Sequence, residues 1–336
     1  MPVPMPPRRI LLIGGCGFVG LNIAEALLRQ GHNVTLLDRH ALPTAAAAAF
    51  GALSGRLTTG IVDVTRPDTV APYLRDGADG MVLGAAITAG PAREAAAPEA
   101  ILAVNLGALP GLLRLARDAA VGRVLNLSSA AAYGAGPGDT PLDEAGPACP
   151  TGLYAITKLA GEGVCDRLGA LWGLDVISLR LSAVFGPWEH ATGLRDTLSP
   201  PFQVMRAAAA GTPALLPRPG LRDWVYAPDV AEAVAMLLAA ERPRQRLYNV
   251  TGAVPWPLLG WGQALCRVPR PGFACRLAEG GEVPTIDLHG TADRAPLSSS
   301  RLDGEFGWHA RHGAAAAATH FEAWWLAHGA ALEVMA

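Results

Sequence analysis

The sequence is short of charge, of aromatic rings and of cysteine, and each shortage excludes something. Of 336 residues, 17% are Asp, Glu, Lys or Arg and 6% are Phe, Trp or Tyr. The 27 basic residues are balanced by 29 acidic ones, for a formal net charge of −2. Such a balance carries no electrostatic footprint for nucleic acid or an anionic membrane, so neither is expected as a partner. Five cysteines (16, 149, 165, 266 and 275) form an odd set without a C-x-x-C pair, which argues against a disulfide framework and a structural zinc. Reduced thiols in a cytoplasm fit this usage, and no metal is expected. No apolar run is read as reaching the roughly 18–20 residues that span a bilayer. The basic pair Arg8-Arg9 precedes a short apolar run that ends at once in glycines, a strand entering a turn rather than a secretion signal. Internal repeats are absent as well.

What is present is apolar material: 51% of residues, punctuated by 39 Gly and 28 Pro. That is ample for a core and too apolar for disorder. Much of it is alanine, in runs such as 45–49 and 314–318 that bury little area each. The length suits one large domain or two intimately joined ones. Short apolar runs at 9–13, 33–38, 56–62, 80–83, 122–127 and 174–179 alternate with helical stretches at 19–30, 44–53, 67–74, 98–119 and 152–172. Parallel strands need a crossover and helices supply it, so the alternation predicts an α/β fold: a doubly wound parallel sheet of the Rossmann type. After about residue 180 the pattern turns irregular. Helices are predicted at 195–210, 228–240, 299–306 and 314–328, with a strand at 246–250. The division expected is a dinucleotide-type domain over 1–180, regaining segments near 222–252, and a smaller interleaved α/β lobe drawn mainly from 181–336. Ligands of open α/β sheets sit at the carboxyl ends of the strands.

The first strand runs straight into Gly14-Gly15-Cys16-Gly17-Phe18-Val19-Gly20, a G-x-x-G-x-x-G spacing that opens a helix. Glycines there let the backbone turn tightly and let a pyrophosphate approach the N–H groups. The second strand ends at Asp38, 18 positions past Gly20. A carboxylate at that point accepts hydrogen bonds from a ribose 2′-hydroxyl and repels a 2′-phosphate, so NAD is expected over NADP, with Arg39 able to soften the preference. Asp63-Val64, after the third strand, suits an adenine-side contact and equally a capped turn.

The fifth strand leads into Ser128-Ser129-Ala130-Ala131-Ala132-Tyr133, and Tyr154-Ala155-Ile156-Thr157-Lys158 opens a helical stretch. Residues four apart share a helix face. An ammonium beside a phenol stabilises the phenolate and so readies it as a general base, and the same amine can reach the nicotinamide ribose. A strand-end hydroxyl, Ser129, can hold the substrate oxygen in line with the phenol. A Y-x-x-x-K spacing alone is common on amphipathic helices. Its order behind a glycine turn and a strand-end serine is what gives it weight.

Together these residues resemble the extended short-chain dehydrogenase/reductase superfamily, and within it the NAD-dependent sugar epimerase/dehydratase group. The likeness runs on through Asn105-Leu106-Gly107, the segment from Arg180 to Pro187, Arg222-Asp223-Trp224-Val225-Tyr226 and Tyr248-Asn249-Val250-Thr251-Gly252, and covers residues 8–252 strongly. It implies that the catalytic hydroxyl lies four before the strand-end tyrosine, which selects Ser129 over Ser128, and that Asn105 helps to order the site beside the cofactor. It also implies substrate contacts at Arg180, at Ala183, where nucleotide-sugar enzymes usually carry an asparagine for the diphosphate, and at Arg222, which matches an arginine that often contacts the nucleotide phosphates. Two departures bear on chemistry. Sugar 4,6-dehydratases carry an Asp-Glu pair where this chain has Ala130 and Ala131, so elimination is disfavoured. The insert from Trp188 to Asp196 is polar, and its Arg195 suits a carboxylate or phosphate on a smaller substrate; a solvated loop capped by Asp196 is the plainer reading.

The expectation is therefore an NAD-dependent oxidoreductase acting on a secondary alcohol of a sugar or sugar derivative, with Tyr154 as base, Lys158 as its partner and Ser129 orienting substrate. A nucleotide-sugar epimerase that retains its NAD is the alternative, and a non-catalytic NAD-binding regulator a third. The helical stretches 98–119 and 152–172 resemble the dimer seam of similar enzymes, so a homodimer is expected. His309, His312, Trp308, Trp324 and Trp325 read as a packed C-terminal helix, and Cys16 as a small residue fitting a tight turn.

Overall fold

The computed structural model describes residues 6–135, 140–252, 254–266, 270–290 and 292–333. Strands β1 (Arg9–Ile13), β2 (Asn33–Asp38), β3 (Arg56–Ile61), β4 (Gly80–Leu83), β5 (Val124–Ser129) and β6 (Val176–Leu181) join the strand Leu247–Val250 in one seven-stranded sheet. Its order is Leu247–Val250, β6, β5, β4, β1, β2, β3, and every neighbouring pair is parallel. The chain starts at the centre, winds outward to β3, and returns beside β1 as β4. β4 and β6 are buried at every residue, as helices on both faces require. On one face lie α1 (Phe18–Arg29) and the helix Ala227–Ala239; on the other, the helices Leu109–Asp118 and Leu153–Trp172.

Reversal of winding direction opens a crevice between the carboxyl ends of β1 and β4. The loops leaving these two strands touch there. Gly14 has φ +77°, and a Cβ built on it would lie 2.5 Å from the Ala85 amide nitrogen. No side chain fits in that gap.

Several boundaries move from their predicted places. β5 and β6 each begin two residues later than expected. The helix expected from 195 begins instead at Pro200, because Ser199 Oγ accepts the Phe202 N–H at 3.3 Å and two prolines occupy its first turn. Arg195 therefore remains in the preceding loop, and Asp196 does not cap this helix; its carboxylate is 2.5 Å from Arg93 and accepts the Gly90 N–H at 2.7 Å. Beyond β6 the described residues add three two-stranded pairs: Ala183–Phe185 with Trp224–Tyr226, Leu221–Arg222 with Trp256–Pro257, and Ala214–Leu216 with Cys275–Leu277. Strands of two or three residues are too short for alternation to betray them.

One expectation about apolar runs is corrected. The stretch Pro98–Asp118, helical throughout with a π-turn at Ala103–Gly107, has 21 residues and a mean hydropathy of 1.4, long and apolar enough to cross a bilayer by length and composition alone. Asn105, Gly107 and Pro110 interrupt the run in the sequence. In the fold, Leu109, Leu112, Leu113 and Ala116 of this stretch are buried against the sheet.

The C-terminal helix Ala314–Glu333 docks through buried rings, with Trp324 5.1 Å from Trp188 and Phe321 in the same cluster. Beside it, Tyr226 Oη meets His320 Nδ1 at 2.8 Å and Asp229 holds His312 Nδ1 at 2.8 Å. Burial, then the neighbouring His312, holds His320 below the usual 6.5; burial likewise lowers His32. Both rings stay neutral when folded where the unfolded chain would take a proton. Their contribution is thus complete above pH about 6.5 and is lost as pH falls below it. The melting temperature is expected to drop between about pH 7.5 and 5.5, and less steeply in His320→Gln. Equal slopes for the two proteins would mean that His320 takes up its proton as readily in the fold as in the unfolded chain.

Candidate active site

A cavity of about 980 Å³ occupies the crevice, at the upper end of ligand-site sizes. At one end its wall holds Gly14, Gly17, Phe18, Val19, Gly20, Asp38, Arg39, Asp63 and Val64; at the other, Ser129, Tyr154, Lys158, Ala183 and Arg222, with Arg195 on the wall beside Phe18. Two residues expected in the site, Asn105 and Arg180, are not on this wall.

The glycine turn presents backbone donors to the cavity. Gly17 is the N-cap of α1 and supplies no side-chain cap, so the first-turn N–H groups keep the partial positive charge of a helix start. A Cβ on Gly17 would meet nothing but the Gly14 carbonyl, at 3.4 Å, and would stand in open space on the cavity side. This is a surface a diphosphate can approach closely. Asp38 closes the turn from β2: one carboxylate oxygen accepts the Cys16 N–H and the other the His40 N–H, both at 3.1 Å. Its oxygens still face the cavity with spare lone pairs for a ribose. The residues fit a dinucleotide. Burial and the nearby Asp38 push the Cys16 thiol up to about 12, so it is a packing residue and not a thiolate. Asp63 accepts the N–H and hydroxyl of Thr65, at 3.0 and 2.7 Å, which fixes its turn while leaving it on the cavity wall.

At the far end, the helix Leu153–Trp172 brings Tyr154, Lys158 and Glu162 onto one face at intervals of four. Glu94 captures the N–H groups of Leu153 and Tyr154, at 2.7 and 3.4 Å, and so caps the helix at its reactive end. Lys158 Nζ donates to the Leu127 carbonyl at 2.8 Å and lies 5.7 Å from the centre of the Tyr154 ring. An ammonium has three donors, so two remain. The adjacent serines differ in their bonds. Ser128 Oγ donates to buried Glu162 at 2.5 Å, whereas Ser129 Oγ accepts the Ala131 N–H at 3.1 Å and keeps its proton. Ser129 is the hydroxyl with something to give. Ala130 and Ala131 follow it, with no acid in the turn.

Arg180 is corrected by this geometry. Alternation along β6 turns it toward the helix and away from the cavity. It is 4% exposed, bonded to both carboxylate oxygens of Glu162 at 2.9 and 2.7 Å, and stacked 4.3 Å from the centre of the Tyr133 ring. Asn105 also acts from behind. In the π-turn it accepts the Ile87 N–H and donates to the Ile87 carbonyl and to Thr157 Oγ1, which in turn bonds the Tyr154 carbonyl. It orders the helix without touching the cavity. Glu162, the fully buried Glu189 that pairs with Arg195, and His289 on the cavity wall were not expected in the site: Glu162 and His289 lie far in sequence from their partners, and Glu189, only six residues from Arg195, sits in a polar loop where nothing marks it as buried. One signal was available: Lys158 is the only lysine in the chain, whose other basic residues are all arginine. A guanidinium is planar, bulky and permanently charged, and does not replace a compact ammonium of three donors at this place. Among the described residues no group of three or more His, Cys, Asp or Glu is placed to hold a metal ion.

The topology and the glycine turn define a dinucleotide-binding enzyme fold, with Tyr154 and Lys158 on the wall of its crevice. A model of the NAD dependent epimerase/dehydratase family matches residues 10–251, and the chain belongs to that family. A UDP-glucose 4-epimerase of Corynebacterium glutamicum is 27% identical over 318 residues, 90% of this chain and 91% of its own. A dTDP-6-deoxy-L-talose 4-dehydrogenase (NAD(P)(+)) of Kitasatospora kifunensis is 28% identical over 251 residues, 73% of this chain and 74% of its own. The solved structure of a Thermus thermophilus UDP-glucose 4-epimerase in complex with NAD superimposes with a TM-score of 0.72 at 25% identity, covering 94% of this chain and 99% of that one. The chain is an NAD-dependent enzyme of the sugar epimerase and oxidoreductase kind.

Replacing Arg180 by Met leaves the Glu162 carboxylate buried with Ser128 as its remaining partner. A loss of about 3–5 kcal/mol in unfolding free energy is expected in urea titrations. A loss under about 1 kcal/mol with a raised KM would return Arg180 to a substrate role.

Proposed function

We propose that this chain oxidises a secondary alcohol of a sugar or sugar derivative, with Tyr154 as the base, Ser129 as the donor that holds the reacting oxygen, and Lys158 as the cation that sustains the phenolate. The observation that carries this reading is the shared wall: Ser129, Tyr154 and Lys158 line the same cavity as the glycine turn. Bound NAD supplies the acceptor for the hydrogen and electron pair leaving the carbinol carbon. Tyr154 takes the hydroxyl proton. Ser129, its own oxygen engaged by the Ala131 N–H, donates to the substrate oxygen and keeps it in line. Lys158, tied to the Leu127 carbonyl, keeps a positive charge near the phenol and two donors for a ribose. Alanines at 130 and 131 leave no second acid/base in the turn, which favours oxidation over elimination of water.

A nucleotide-sugar epimerase is the second reading. It is favoured by the likeness to a UDP-glucose 4-epimerase over 90% of the chain and by Arg222. That residue is on the cavity wall, 5.9 Å from the Trp224 ring centre, with no ion pair among the described residues. In both readings residues after 180 supply the substrate side. All five cysteines are free, which supports a reducing, cytoplasmic setting. Leu102, Ile156 and Leu171, exposed by 42, 43 and 54% on the two helical stretches of the expected seam, support a homodimer.

Tyr154→Phe is expected to lower turnover at least about 100-fold while NAD affinity stays within a few-fold. Absorbance near 340 nm then separates the readings: net NADH with a sugar alcohol supports the dehydrogenase, and isomerised product without it the epimerase. Wild-type turnover in Tyr154→Phe would remove the proposed base.

A further inference from the structure

The segment between Pro187 and Ser199 crosses the mouth of the crevice and is fastened on both sides. On the α1 side, Asn22 donates to the Pro187 carbonyl at 2.7 Å and the Trp188 indole donates to Glu25 at 2.6 Å. Trp188 is fully buried with φ +63°, a conformation that a bulky residue adopts only under packing. On the β4 side, Thr88 donates its N–H to the Leu194 carbonyl at 2.8 Å and accepts the Asp196 N–H at 3.2 Å. Asp196 is also tied to Arg93 at 2.5 Å and to the Gly90 N–H at 2.7 Å. The segment is thus a strap between the phosphate-side helix and the loop after β4.

Arg195 is the cation this strap carries. Its guanidinium lies 5.8 Å from the centre of the Phe18 ring, and Phe18 is the first residue of α1, inside the glycine turn. One guanidinium nitrogen, Nη1, is bonded to Glu189 at 2.8 Å. Glu189 is itself fully buried and held on both oxygens: it also accepts the N–H and the hydroxyl of Ser199, at 2.6 and 2.5 Å. That fixes the position of Arg195 while its Nε and Nη2 make no hydrogen bond among the described residues. The other cavity arginines lie elsewhere: Arg39 follows Asp38 at the ribose end and Arg222 packs on Trp224.

We propose that Arg195, delivered by the 187–199 strap, is the counter-cation for the cofactor's diphosphate, pairing with it over the glycine turn from the side opposite the α1 N–H groups. A diphosphate carries two negative charges, and a helix start offers only partial positive ones. A guanidinium with free nitrogens supplies the balance through charge-assisted hydrogen bonds. Because the strap is bonded to both sides of the crevice, releasing the dinucleotide requires breaking that pairing or lifting the strap. Arg195 is thereby moved from the substrate role expected of it to a role in holding the cofactor. The inference rests on the cavity taking a dinucleotide along residues 14–20.

The test is calorimetric titration of the full chain with ADP-ribose, which carries the diphosphate, and with adenosine, which lacks it. In Arg195→Ala, ADP-ribose affinity is expected to fall about ten- to a hundredfold while adenosine affinity stays within about twofold. Arg195→Lys, which keeps the charge, is expected to recover part of the loss. Unchanged ADP-ribose affinity in Arg195→Ala, or an equal fall for both ligands, would overturn the proposal; unchanged affinity with a raised KM for sugar would give the residue back to the substrate. A wild-type protein that bound neither ligand would overturn the dinucleotide reading of the cavity, and the proposal with it.

Discussion

Everything at the reactive end of the crevice hangs on how one helix is rotated about its axis. Tyr154, Lys158 and Glu162 stand on successive turns of a single face, so whatever fixes Glu162 fixes the other two. Arg180 grips both oxygens of Glu162, and Ser128 donates to one of them. Because Ser128 and Arg180 come from neighbouring sheet strands, the helix is pinned to the sheet through a buried charge pair. Such a pair adds little net stability compared with an apolar substitute, yet it tolerates no slip, since any rotation leaves a carboxylate unpaired in the interior. The orientation of the phenol is bought with that intolerance.

Much of the first half was legible because punctuation there is strong. Glycine turns bound β1 and β4, and full burial makes β4 read as a short continuous apolar run, while β6 is apolar but for Ser178 and Arg180. The glycine turn and the Tyr154–Lys158 interval are local patterns, and both lie on the cavity wall. What stayed hidden is what depends on distant partners. Arg180 was expected to face substrate because its segment resembles one that does; its real partner, Glu162, lies eighteen residues earlier on another element. Asn105 lies in a π-turn, where regular helical spacing no longer tells which way a side chain points. The helix start at Pro200 was missed because Asp196 looked like a cap, while Ser199 is the residue that performs the task.

The two ends of the cavity differ in how their charge is supplied. At the glycine turn it comes mostly from backbone dipoles, supplemented by a guanidinium held out on a strap. At the reactive end it comes from one ammonium tied to a strand-end carbonyl. A sequence that uses arginine everywhere else keeps its single lysine there. The chemistry proposed above needs a small cation that shares its donors among a carbonyl, a ribose and the neighbourhood of a phenol, and a planar fork does not fit that task.

That solitary lysine makes the central claim directly measurable. Acetylation by acetic anhydride, followed by peptide mass spectrometry, reports on amines, and the chain has only Lys158 and its amino terminus to report. Modification of Lys158 is predicted to proceed in step with loss of turnover and to be slowed by saturating NAD. Complete acetylation of Lys158 with turnover intact would contradict the account.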